Sequence, residues 1–135
     1  PEKIKESISL GRVGNMPPMA AAVGTPDDIR NVAQYAMSLS GSPHDSLKAG
    51  FGKPKFSACA ACHGVDGKGM HAVGAPNLTD KVWLHGWGEA GIVDMVNKGK
   101  QNIMPPQQDR LSASQIHVLT SYVWSFSNNT DAAKP

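Results

Sequence analysis

Two thiols and an imidazole fall within five residues in Cys59-Ala60-Ala61-Cys62-His63, the densest chemistry in the chain. Thiols three residues apart on a helical turn lie side by side, so each can form a thioether with one of two vinyl groups on a flat macrocycle. The histidine that follows then reaches the metal at the centre of the ring. Spacing, order and trailing histidine together are the attachment signature of a c-type haem. A bare C-x-x-C also occurs in thioredoxin-like redox pairs and as half of a zinc site. The first needs a βαβ setting and the second a further pair of ligands. The sequence supplies neither, and these are its 2 cysteines.

Iron held by His63 from one side takes a second axial ligand from the other. Met104 is suited to this place, because Pro105-Pro106 stiffens its loop and it follows the haem motif at a distance. A soft thioether favours ferrous iron and raises the reduction potential, the property of an electron carrier. Methionine more often fills core, but a Met between Ile103 and two prolines is an unusual filler. His71, His85 and His117 are rivals for the position. His71 lies in a glycine-rich loop and His117 beside an apolar helical stripe, so both read as surface or propionate-side residues. His44 has no signal beyond a turn.

The elements that must position these groups are helices. Ile4 and Ile8 share a face of a short helix over 2–10, stopped by Gly11 and Gly14. Asn15-Met16-Pro17-Pro18-Met19 is extended, because each proline pushes its predecessor out of the helical region. Thr25-Pro26-Asp27-Asp28 opens a helix with a cap, a first-turn proline and acidic residues at the positive end of the dipole. Its stripe is Ile29, Val32, Ala33, Ala36 and Leu39, and Ser40-Gly41-Ser42-Pro43 ends it as a domain boundary. A weak lead-in over 44–52 precedes a helix that starts at Pro54 and delivers Phe56, Cys59, Cys62 and His63. Gly67, Gly69 and Gly74 let the next loop pass close to a haem edge. A helical turn over 79–83 and a helix over 87–98 follow. Ser112 and Gln115 form a capping box for a last helix with Ile116, Leu119, Thr120 and Val123 inward. Strands have almost no support.

Composition excludes several classes. A net charge of +2 over 135 residues is too weak for a nucleic-acid partner. No run approaches ~18 apolar residues, so no membrane span is expected. Pro1-Glu-Lys-Ile-Lys-Glu is amphipathic rather than a basic start with an apolar core, which reads as a mature or trimmed chain. Lys53, Lys55 and Lys68, with Lys98 and Lys100, could ring a haem edge and steer a partner.

An internal repeat changes the reading. Gly11 to Met16 and Gly99 to Met104 have the same separation, and both methionines precede Pro-Pro. With a one-residue shift in the loop, Thr25 falls on Ser112, Ile29 on Ile116, Val32 on Leu119, Tyr35 on Tyr122 and Ser38 on Ser125. Residues 1–43 therefore read as the back half of a first haem domain without its own C-x-x-C-H, residues 44–128 as a complete domain, and 129–135 as a frayed tail. Residues 1–43 are near the ~40-residue limit for a self-sufficient core. They are expected to pack on the haem domain or to self-associate, including as a swapped dimer, rather than stay disordered.

The haem helix, Pro76-Asn77-Leu78, the Met-Pro loop and the terminal helix resemble class I cytochrome c. Over about 8–128 the chain resembles a narrower family, the CcoP or FixP dihaem cytochrome c subunit of cbb3-type cytochrome oxidases. Gly-Asn-Met-Pro-Pro-Met at 14–19, Tyr-Ala-Met-Ser-Leu-Ser-Gly at 35–41, the run at 52–64 and Ala-Pro-Asn-Leu-Thr-Asp at 75–80 carry that resemblance. It implies an all-α fold, one haem c bound through Cys59 and Cys62, iron ligation by His63 and Met104, and a Pro76 carbonyl that accepts the imidazole N–H of His63. Met16 would by the same token serve a first haem, whose Cys-x-x-Cys-His the sequence lacks. It further implies a non-enzymatic electron-transfer chain on the periplasmic side of the bacterial inner membrane, within a membrane-anchored parent. Its partners would be the other oxidase subunits and a donor cytochrome. A free-standing periplasmic cytochrome c is the alternative, and a haem enzyme or gas sensor with a displaceable sixth ligand is another.

Overall fold

The computed structural model describes residues 1–128, and the tail expected at 129–135 lies outside them. The chain folds as α1 (Glu2–Leu10), β1 (Arg12–Met16), α2 (Ala20–Val23), α3 (Pro26–Leu39), α4 (Ser46–Lys55), α5 (Ser57–His63), α6 (Gly88–Lys98), β2 (Lys100–Met104) and α7 (Ala113–Asn128). A single 3-10 turn covers His71–Val73. The fold is all-α in substance. Several expectations need correcting all the same.

The first concerns strands, expected to have almost no support: β1 and β2 pair in a two-stranded sheet. Each follows a helix that ends at a glycine in the left-handed region, Gly11 at φ +71 and Gly99 at φ +70. Each also runs into Met-Pro-Pro, which forces extended backbone. The second concerns the haem helix, which does not begin at Pro54. Pro54 lies in the last turn of α4, and Phe56 is the hinge between α4 and α5. The turn expected over 79–83 is a series of bends rather than a helix.

Two compact units divide the described residues. One comprises Pro1–Val13 with the residues from Asn102 on, and the other is Gly14–Gln101. The chain therefore runs through 40–43 inside a single unit, where Ser40 and Ser42 are buried.

In the second unit α3 packs on α4 and α6. Val23, Ile29, Val32, Phe56, Cys59 and Val96 form its buried cluster. A capping box starts α3: Asp28 N–H donates to Thr25 Oγ1 at 3.2 Å, and Thr25 N–H donates to Asp28 Oδ2 at 2.9 Å. Gly52 makes the α3–α4 crossing possible, because a Cβ there would lie 2.0 Å from the Asn31 carbonyl oxygen. Buried Gln34 ties three helices together. Its Oε1 accepts from Asp45 N–H at 2.7 Å, at the cap of α4, and its Nε2 donates to Glu89 in α6.

In the first unit α1 packs on α7. Ile8, Ile116 and Thr120 are its buried side chains. Gln107 N–H and Gln108 N–H donate to the Ile8 and Ser9 carbonyls at 3.0 and 3.2 Å. Ser112 and Gln115 make the expected capping box, with bonds of 2.8 and 3.3 Å. Leu119 and Val123, expected inward, are 38% and 39% exposed.

Candidate functional site

Helix α5 has 7 residues, about two turns, long enough to set Cys59 and His63, four residues apart, in register on its inner side. Cys59 and His63 are buried, while Cys62 is exposed. Burial pushes the Cys59 thiol above its ordinary value, and the neighbouring Cys62 adds to the effect. Alanines at 58, 60 and 61 keep the turn slim, and Phe56 anchors it from below. The Phe56 ring meets Tyr35 of α3 edge-on at 5.2 Å between centroids.

Gly64, at φ +80, ends α5 and turns the chain into the glycine loop. That loop closes back on the helix, since Gly69 N–H donates to the His63 carbonyl at 2.8 Å and Leu78 N–H to the Gly67 carbonyl at 2.7 Å. Met70 and Ala75 form an isolated bridge across it. Gly69 is required by proximity as well as by its φ of +83: a Cβ would lie 2.6 Å from the Ala75 oxygen and 2.7 Å from the Pro76 carbonyl carbon. The loop thus holds Pro76 in place, with its carbonyl oxygen 3.0 Å from His63 Nδ1. A carbonyl can only accept, so Nδ1 carries the proton and Nε2 keeps its lone pair for a metal.

These residues fit a covalently attached haem. Two thiols stand on one helical turn, followed by an imidazole with its tautomer fixed by an outer partner. Trp83 Nε1 is buried and has no hydrogen-bond partner among the described residues, so it can donate to an acceptor such as a propionate. Val65 in the glycine loop, and Val82 and Leu84 beyond it, are apolar yet 87%, 66% and 78% exposed. Among the described residues no side chain covers them.

The structure distributes the other candidates unevenly. Cys59, Cys62, His63 and Pro76 share the second unit with His71 and His85, both exposed. Met104 belongs to the first unit, where it is 42% exposed, together with His117 on α7. Met16 belongs to the unit of Cys59 and packs, half-buried, against its cluster. Gly69 is marked in the sequence only as one of three loop glycines near a haem edge, and Trp83 is not marked at all. For Gly69 the signal was present in the glycine spacing; for Trp83 nothing local marks an orphaned donor.

Comparison with known proteins agrees with this chemistry. The family described as cytochrome C oxidase, cbb3-type, subunit III matches residues 45–123. The chain is 64% identical over 132 residues, 98% of its length, to the cbb3-type cytochrome c oxidase subunit CcoP of Rubrivivax gelatinosus, and covers 43% of that protein. It is 44% identical over 101 residues to subunit FixP of Bradyrhizobium diazoefficiens, with 73% of the chain and 35% of FixP covered. Against subunit CcoP of Rhodobacter capsulatus the identity is 39% over 122 residues, covering 84% of the chain and 41% of the relative. The chain thus spans less than half the length of these relatives. On the family match and these identities together, the chain belongs to the cbb3-type cytochrome c oxidase subunit III family of cytochromes c.

Proposed function

We propose that this chain transfers single electrons through one haem c held by Cys59 and Cys62, on the periplasmic side of a bacterial inner membrane, passing them toward the oxygen-reducing subunit of a respiratory oxidase. The observation that carries the reading is the Cys59-Cys62-His63 turn with His63 Nδ1 fixed on the Pro76 carbonyl at 3.0 Å. When bound, the group supplies reversible ferric–ferrous cycling.

The residues around it set the conditions. The Pro76 bond makes His63 a more basic and better oriented ligand. A methionine thioether would be a soft ligand that favours the ferrous state and leaves no room for a substrate at the metal. Met104 and Met16, the two copies of one Met-Pro-Pro motif, are the candidates for it. Partners are the other subunits of the oxidase and a donor cytochrome, in keeping with the names of the relatives.

A redox titration with carbon monoxide added to the reduced protein tests the reading. A one-electron wave and slow or absent carbon monoxide binding are expected. Rapid binding at an open sixth site would instead identify a haem enzyme or gas sensor.

A further inference from the structure

Between the Pro76 loop and α6 lies a pair of tryptophans. The stretch that leads to them is fixed by side-chain turns: Thr79 N–H and Oγ1 donate to Asn77 Oδ1 at 2.8 and 2.7 Å, and Val82 N–H donates to Asp80 Oδ1 at 2.9 Å. Trp83 follows, its Nε1 buried and without a hydrogen-bond partner among the described residues. Trp87 meets the Trp83 ring edge-on, at 5.5 Å between centroids and 72° between planes, and is itself 53% exposed. A buried indole is therefore backed by a second ring that meets water.

The backbone on either side of Trp87 is built to turn. Gly86 has φ +120 and Gly88 φ +84, a region that residues with side chains rarely adopt. At Gly69 and Gly99 of the same unit a glycine is also demanded by packing, since a Cβ would lie 2.6 and 2.4 Å from a backbone oxygen. At Gly88 a Cβ would meet nothing within 4 Å, and at Gly86 it would meet the Gly91 Cα at 3.7 Å, an ordinary contact. Conformation rather than crowding is what these two glycines supply. Gly91 keeps the pivot close to α6, because a Cβ there would lie 3.1 Å from the Gly86 carbonyl carbon.

The ring also has room to move. Trp87 lines an open cleft of about 400 Å³ together with Gly41, Ser42, Pro43 and Lys81. Its side chain can swing toward that cleft and leave the Trp83 indole to water. Solvent access matters at a haem, because water favours the more highly charged ferric state and a dry apolar shell the ferrous one.

We propose that Trp87, hinged between Gly86 and Gly88, is a lid that keeps water from the buried Trp83 indole, a positioning residue that thereby holds the reduction potential up. This rests on the haem reading above and adds a solvent barrier to it.

The test uses the haem-loaded, reduced 135-residue chain, isotopically labelled for NMR, with its 3 indole N–H signals assigned by Trp83→Phe, Trp87→Phe and Trp124→Phe. The readouts are exchange of the Trp83 indole N–H in heavy water and the midpoint potential. The backbone amide of Val32, in the buried cluster, is the standard for overall opening. Trp87→Ala is expected to speed Trp83 indole exchange by about two- to tenfold, the loss of one aromatic pair contact, and to lower the potential, with Val32 unmoved. Trp87→Phe keeps a ring on the hinge and is expected to hold both readouts near those of the unmutated chain. Should Val32 exchange quicken too in Trp87→Ala, the same acceleration is read in Trp87→Leu, which keeps an apolar contact but no ring. Unchanged Trp83 exchange, or a potential that stays or rises, overturns the lid while the haem reading stands. A chain that takes up no haem overturns the haem reading and the lid with it.

Discussion

At the scale of single residues, the site depends on which nitrogen of His63 holds a proton and on what keeps Pro76 against it. Gly69 does the second by letting the loop pass within contact of Ala75 and Pro76. Gly69→Ala is therefore expected to push Pro76 away, at a cost of about 1–3 kcal/mol in urea denaturation. With its outer bond weakened, His63 is a less basic ligand and stabilises ferric iron less, so the reduction potential should rise. A potential equal to that of the unmutated protein would remove Pro76 from the tuning of the site. The two cysteines differ just as clearly. Cys59 is buried with its pKa raised, so at a given pH it holds less thiolate than its ordinary value gives, whereas Cys62 is exposed. In haem-free protein, iodoacetamide should label Cys62 first, and Cys59 should follow only as the pH is raised. Peptide mass spectrometry over a time course reads the order, and equal rates would contradict the burial of Cys59.

At the scale of elements, the α3–α4 crossing holds the haem helix in place, and two glycines of α4 separate packing from propensity. A methyl on Gly52 meets the Asn31 and Val32 backbone, while one on Gly50 meets nothing within 4 Å. Gly52→Ala should destabilise by about 1–3 kcal/mol, and Gly50→Ala should stabilise by about 0.5–1 kcal/mol. Thermal unfolding of both variants checks the pair, and equal shifts would mean that the crossing is not tight. The same crossing is sensitive to acid. The Asp28 carboxyl is held below its ordinary value, first by the Thr25 N–H and also by the Thr25 hydroxyl and by Lys55. Its stabilising contribution is thus complete above the unfolded pKa and lost as pH falls through the folded one. Asp28→Asn should flatten the acid limb of the stability curve, and an unchanged limb would assign the loss to other groups. Local signals made much of this readable in advance: the Thr25 and Ser112 caps, the Gly11 and Gly99 stops and the span of α1 stand as the sequence indicated. The strands were not readable, because a single ladder between distant segments leaves no periodicity in either. Nor was the choice between α3 and α7, whose stripes pair Ile29 with Ile116 and Tyr35 with Tyr122; it turns on Gln34 and Asp28, polar residues whose partners lie on other helices.

At the scale of the whole molecule, charge and covalent chemistry are the readable properties. Of the five lysines that could steer a partner, Lys55, Lys68 and Lys98 pair with Asp28, Asp66 and Asp94 at 3.3, 3.9 and 2.5 Å. With so much of that field neutralised and a net charge of +2, electron-transfer rates should depend only shallowly on ionic strength. A steep fall with added salt would restore a steering role to these lysines. The central claim is that one haem is bound covalently through the two thiols of α5. Mass spectrometry of the denatured holoprotein, beside Cys59→Ser and Cys62→Ser variants, tests it directly. The account predicts a chain heavier by the mass of one haem, with the adduct lost from the double variant. A chain at its bare polypeptide mass, or an adduct that survives replacement of both cysteines, would contradict it.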